Sequence, residues 1–214
     1  MEKRLIFQDE QDYVIFLSYL KNYLLPKNKK ELLERLSNPN LTAKERDQTL
    51  KLLKLNNFHG EITLLAYCLM PNHFHLLVKQ KSGDGIDKFM NSIGVRYAMY
   101  FNRKNKRVGA FYQDVYKAVL IDSEPQLLHL TSYIHRNPLK RPSQKLASQE
   151  VLLEACFSQP SSLPEYLEQR KTEWVHPEEI ISFFSKANPQ LSYQAFIEQA
   201  EEISPLEAIT IDYV

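Results

Sequence analysis

The sequence predicts an α+β sandwich in which an antiparallel sheet packs against helices. Three observations carry that expectation. Residues 61–69 and 73–80 are apolar, β-forming runs separated by Pro71-Asn72, a turn signal that implies an antiparallel hairpin. Apolar residues recur at helical spacing on both sides of that hairpin. The order of strands and helices lacks the strict βαβ alternation of a parallel sheet. The chain of 214 residues, 43% hydrophobic and 25% charged, suits one domain with a sizeable core plus an appendage.

Each element has a local reason. Tyr13, Phe16, Leu17, Leu20 and Leu24 place apolar side chains on one helical stripe, Asp9 is a natural N-cap, and Pro26 stops the helix. Residues 27–57 are rich in Lys, Glu, Leu and Asn and read as one or two exposed helices broken near Asn38-Pro39-Asn40. Gly60 opens the first strand, and the second returns from His73 to Gln80. After a Ser82-Gly83-Asp84-Gly85 loop, Phe89, Ile93, Tyr97 and Tyr100 predict a helix over 86–103. A basic loop follows at 102–109, and 111–121 is expected to contain a further strand. Glu124-Pro125 starts a helix with proline in its first turn, and Asn137-Pro138 closes it. From Lys140 onward Pro and Ser mark a linker with short helices, and 177–206 reads as helical and acidic.

Composition excludes several classes. Cys68 and Cys156 are the only cysteines and form no CxxC, which argues against a disulfide framework or a cysteine zinc site and fits a reducing cytosol. No long uncharged apolar run occurs, and the first ten residues are charged, so a cytoplasmic location is expected. The net charge of +1 hides an asymmetry. Arg96, Arg103, Lys104, Lys106, Arg107, Lys117, Arg136, Lys140 and Arg141 face only Asp114, Asp122 and Glu124 in that stretch, whereas the chain after Pro142 is acidic. A basic middle interleaved with Tyr97, Tyr100, Phe101, Phe111, Tyr112 and Tyr116 suits a polyanion whose bases stack on aromatic rings.

Two sets of residues suggest chemistry. His73 and His75 lie one residue apart on a strand, so both imidazoles project from one face and Phe74 from the other. Such a pair suits a divalent metal ion better than it suits packing. On the helix starting at Glu124, His129, Tyr133 and Asn137 recur every fourth residue and share a face. One reading of that face is an amphipathic helix with Asn137 as its C-terminal cap. The other makes Tyr133 a nucleophile and Asn137 a third ligand beside the histidines.

The pieces Ala66-Tyr67-Cys68-Leu69-Met70-Pro71-Asn72-His73-Phe74-His75, Arg96-Tyr97-Ala98-Met99-Tyr100-Phe101-Asn102 and Ser132-Tyr133-Ile134-His135-Arg136-Asn137-Pro138 resemble, in this order, the single-tyrosine HUH transposases, and within them the REP-associated tyrosine transposases. The resemblance implies a ferredoxin-like sandwich with helices on one face of the antiparallel sheet. It implies a catalytic domain over 1–141 with a helical insertion at about 27–57, followed by a linker and acidic helical extension over 142–214. It also implies cleavage and rejoining of single-stranded, hairpin-forming DNA. In that scheme Mg2+ or Mn2+ sits on His73, His75 and Asn137 as a Lewis acid, and Tyr133 attacks phosphorus to give a 5′-phosphotyrosine and a 3′-OH. Arg96, Arg103, Lys104, Lys106, Arg107, Lys117 and Arg136 are the candidate DNA-binding residues. Tyr97, Tyr100 and Tyr112 are rival nucleophiles that helical spacing and the family motif rank below Tyr133, and His135 lies off the Tyr133 face as a structural residue. A homodimer is one expected assembly.

Two departures from the family accompany the resemblance. Relatives usually begin with a strand of the form YHVxxRG ahead of the segment matching Arg4-Leu5-Ile6-Phe7, where this chain begins, and residues 27–57 exceed a minimal core. The alternative reading is therefore a catalytically decayed, non-enzymatic DNA- or RNA-binding relative lacking the first strand. A structural zinc site is a third, disfavoured because neither cysteine has zinc-finger spacing.

Overall fold

The computed structural model describes residues 4–113, 115–140, 154 and 156–199. Helix α1 (Glu10–Leu24) begins where Asp9 accepts a hydrogen bond from the Asp12 N–H, and it buries Phe16, Leu20, Tyr23 and Leu24 along one stripe. Helices α2 (Lys29–Leu36) and α3 (Ala43–Lys54) form the exposed pair that the sequence predicts. Thr42 and Glu45 close a reciprocal capping box on α3. α2 buries no residue and α3 buries only Thr49, so this pair stands outside the core.

Strands β1 (Ile62–Met70) and β2 (His73–Gln80) form the expected two-residue hairpin, with Met70 opposite His73 and Cys68 opposite His75. A register shift between Leu64 and Ala66 reverses the alternation of β1. Ile62 and Leu64 before it, and Tyr67 and Leu69 after it, therefore reach the same apolar cluster. That cluster joins α1 to helix α4 (Gly85–Lys104) through Phe89, Ile93, Tyr97 and Phe101. Leu65, Cys68, Met70 and Leu77 belong to a second cluster. Helix α5 (Glu124–Arg136) supplies Ile134 to it, and short helices α6 (Leu163–Tyr166), α7 (Glu178–Ile181) and α8 (Tyr193–Gln199) supply Leu163, Tyr166, Ile180, Tyr193 and Ile197.

The fold is α+β with an antiparallel sheet, as expected, with two strands among the described residues. α1 and α4 cover one face. The other face is not left open but is closed by α5 and the C-terminal segment, which is why β1 is apolar almost without interruption. The outer edge of β1 is also covered. The Leu69 N–H donates to the Pro160 carbonyl (2.9 Å), the Ser162 N–H to the Tyr67 carbonyl (3.0 Å), and the His176 N–H to the Leu64 carbonyl (2.9 Å). At the turn, the Pro71 carbonyl accepts from the N–H groups of Ile6 and Phe7, whose side chains enter the α1/α4 cluster.

Two expected elements differ. The described part of 111–121 forms no strand: Phe111 is buried, but Val115 and Leu120 are largely exposed. It is residues 160–162 that pair with the outer edge of β1 instead. The helical reading of 177–206 becomes α7, turns over 182–188, a 3-10 turn at Pro189–Leu191 and α8; residues 200–206 lie outside the described residues. Among the described residues no helix is long and apolar enough to cross a membrane.

Candidate functional site

The hairpin delivers both histidines to the α5 side of the sheet and Phe74 to the α1/α4 side, as strand alternation requires. Their ring centroids are 4.8 Å apart with the planes nearly perpendicular. The Asn72 carboxamide oxygen lies 2.7 Å from His73 Nδ1.

α5 meets this pair from the other side. Its C-cap is Asn137, whose N–H donates to the Ile134 carbonyl. The Asn137 carboxamide nitrogen lies 2.9 Å from His75 Nε2, both groups buried. The amide donating there makes Nε2 the acceptor, and a half-turn of the carboxamide puts its oxygen in the same place. The Tyr133 ring stands edge-on to His75 with centroids 5.6 Å apart. Asn137 thus caps α5 and also reaches His75. The donors are two imidazoles and one carboxamide, all neutral, and their chemistry fits Mn2+ or Mg2+ completed by water and phosphate oxygens.

The rival tyrosines have structural duties. Tyr97 is wholly buried, donates to the Ile6 carbonyl (2.7 Å), and has its pKa driven far up by burial. Tyr100 is pushed up to about 12 by burial and by its hydrogen bond to Asp12. Burial likewise raises Tyr112. His135 is structural, as expected. It is fully buried between the Tyr193 hydroxyl (2.7 Å from Nδ1) and the Ser162 hydroxyl (2.8 Å from Nε2), and burial lowers its pKa to about 3, so it is neutral. His129 is half-buried near Phe196, with centroids 6.0 Å apart.

The basic candidates do not converge as a set. Arg96 lies with its guanidinium 3.9 Å from the Tyr19 ring centroid, a packed cation–π contact. Lys104 is held by Asp9 and Asp12, each 2.6 Å away. Arg107 lies 6.0 Å from the Phe101 ring centroid. Arg103, Lys106 and Lys117 are exposed, and Arg136 ends α5 beside Asn137. The sequence reading missed Asn72 as the partner of His73, though it directly precedes the pair. It also missed Ser162 and Tyr193, for which sequence spacing carries no signal.

The hairpin thus brings its histidine pair against the helix that carries Tyr133 and Asn137. A family model described as "Transposase IS200 like" matches residues 26–137, more than half of the chain. The chain belongs to the IS200-like transposase family, and DNA is accordingly its partner. No curated protein and no solved structure matches it.

Proposed function

We propose that this chain is a metal-dependent transposase or nickase that cleaves and rejoins single-stranded DNA through a 5′-phosphotyrosine, acting at hairpin-forming sequences. The observation that carries the reading is the approach of α5 to the hairpin: Asn137 within 2.9 Å of His75 Nε2, with Tyr133 beside the same ring. His73, His75 and Asn137 would hold Mg2+ or Mn2+, which supplies Lewis-acid stabilisation of a phosphoryl oxygen and leaves its full charge for the phosphate because the ligands are neutral.

The protein's own groups do the rest. The hairpin fixes the two imidazoles, and Asn72 orients His73. Tyr133 Oη attacks phosphorus and gives up its proton, the 3′ oxygen leaves and takes up a proton, and the phosphodiester bond is exchanged for a phosphotyrosine bond of similar energy. A second 3′-OH reverses the step and joins strands without ATP. The exposed cations Arg103, Lys106 and Lys117 and the α5-terminal Arg136 bind the strand's phosphates, giving salt-dependent affinity.

The test is a covalent adduct. Labelled single-stranded DNA carrying a hairpin is incubated with the protein and Mn2+ or Mg2+ and run on a denaturing gel. An adduct that needs the metal and disappears in Tyr133→Phe is expected. An adduct that survives in Tyr133→Phe refutes the assignment. A wild-type protein that binds the hairpin without forming any adduct is a non-catalytic DNA-binding relative.

A further inference from the structure

α5 carries a second set of contacts on the side opposite its site face. Successive helical residues are turned by roughly 100°. Tyr133 and Asn137 therefore share a face, and His135 points away from both. His135 is wholly buried and spans two hydroxyls of the C-terminal segment, Ser162 at 2.8 Å and Tyr193 of α8 at 2.7 Å. Ser162 is in turn fastened to β1. Its hydroxyl accepts from the Tyr67 N–H (2.8 Å) and donates to the Tyr67 carbonyl (3.3 Å), and its own N–H donates to that carbonyl (3.0 Å).

With Nε2 protonated, Tyr193 donates to Nδ1, Nε2–H donates to Ser162, and Ser162 donates to the Tyr67 carbonyl; with Nδ1 protonated, the two His135 bonds reverse and the same groups stay linked. Tyr67 directly precedes Cys68, the cross-strand partner of His75. A chain of hydrogen bonds thus runs from α8 through α5 to the hairpin that carries the histidines.

We infer that His135, Ser162 and Tyr193 are positioning residues that set the rotation of α5 on the hairpin, so that Asn137 meets His75 and Tyr133 stands beside it. The C-terminal segment is then a working part of the site. The inference rests on the proposed function for its catalytic consequence, but not for its geometric one. Loss of a link lets α5 turn by a fraction of a residue, and a displacement of about 1 Å at the reacting groups costs on the order of a hundredfold in rate.

The test uses the full chain and four variants: His135→Leu, His135→Gln, Ser162→Ala and Tyr193→Phe. Gln retains a donor at the Nε2 position and serves as the conservative rescue. Two readouts are taken on each. The first is the ring 15N signals of His75 without metal or DNA. The second is the single-turnover rate of phosphotyrosine formation beside the DNA concentration at half-saturation. The expected result is displaced His75 signals in His135→Leu and Tyr193→Phe, a tenfold to hundredfold slower rate at unchanged half-saturation, and return toward wild type in His135→Gln. Wild-type His75 signals in Tyr193→Phe and Ser162→Ala overturn the inference, as does a parallel loss of rate and DNA affinity. If His135→Leu does not fold, Tyr193→Phe, which removes one oxygen, decides. If wild type forms no phosphotyrosine, the proposed function fails and the His75 signals alone decide the positioning.

Discussion

Arg170→Met removes the guanidinium that holds a buried carboxylate beside the hairpin. The Glu165 side chain is 2% exposed and accepts from Arg170 Nε at 2.6 Å and Nη2 at 2.8 Å. Nη2 also donates to the Ser161 carbonyl (2.6 Å) and the Tyr67 hydroxyl (3.2 Å), so one side chain ties α6 to β1. The hydrogen bonds to Glu165 raise the Arg170 pKa above its ordinary value. Breaking a buried pair by deleting one partner costs about 3–5 kcal/mol. The Arg170 side chain is 45% exposed, so water reaches the vacated place and the lower end applies, about 3 kcal/mol. For a chain of this length that lowers Tm by roughly 6–12 °C. Glu165→Met with Arg170→Met removes the stranded charge and is expected to recover about 2 kcal/mol of the loss. Urea denaturation followed by circular dichroism measures both. A single variant within about 1 kcal/mol of wild type, or a double variant no more stable than the single, refutes the reasoning.

Other expectations follow from the same contacts. His73→Ala and His75→Ala are expected to abolish metal-dependent cleavage while DNA affinity, read by fluorescence anisotropy, stays near wild type; equal loss of binding would make the pair structural. Burial raises the Cys68 thiol to about 12 and the Cys156 thiol to about 11, so almost no thiolate exists at pH 8. A disulfide reagent should leave both untouched in the folded protein and label both in urea, and rapid labelling without denaturant would contradict their burial. Arg103→Ala and Lys106→Ala should each weaken DNA binding and reduce the salt slope by about one unit. Lys104→Ala should instead lower stability with little effect on affinity, because Asp9 and Asp12 already neutralise that ammonium; a slope change as large as that of Arg103→Ala would show otherwise.

Much of this was legible because it is local. The hairpin follows from two apolar runs across Pro71-Asn72, α1 and α4 from apolar stripes, and the shared face of Tyr133 and Asn137 from helical period. What pattern alone did not reveal is tertiary. The β-forming stretch after Phe111 lacks a strand, and residues 160–162 pair with β1 instead, at a separation that no window of periodicity spans. Pro and Ser near 160 mark a linker by composition, yet Ser161 and Ser162 are buried against the sheet. Helical period places His135 off the Tyr133 face, but its partners, Tyr193 of α8 and Ser162, come from the C-terminal segment and are visible only in the packing.

The cover over the β1 edge also sets an order of events at the ribosome. Tyr67 and its partner Ser162 are 95 residues apart. At roughly 5–20 residues per second, translation leaves about 5–20 s between the appearance of the apolar strand and that of its cover. Throughout that interval the Leu64–Met70 backbone offers unpaired amides and carbonyls to any neighbouring nascent chain. Products of messages truncated before codon 159, which lack the cover, should therefore partition into inclusion bodies more than the full chain does.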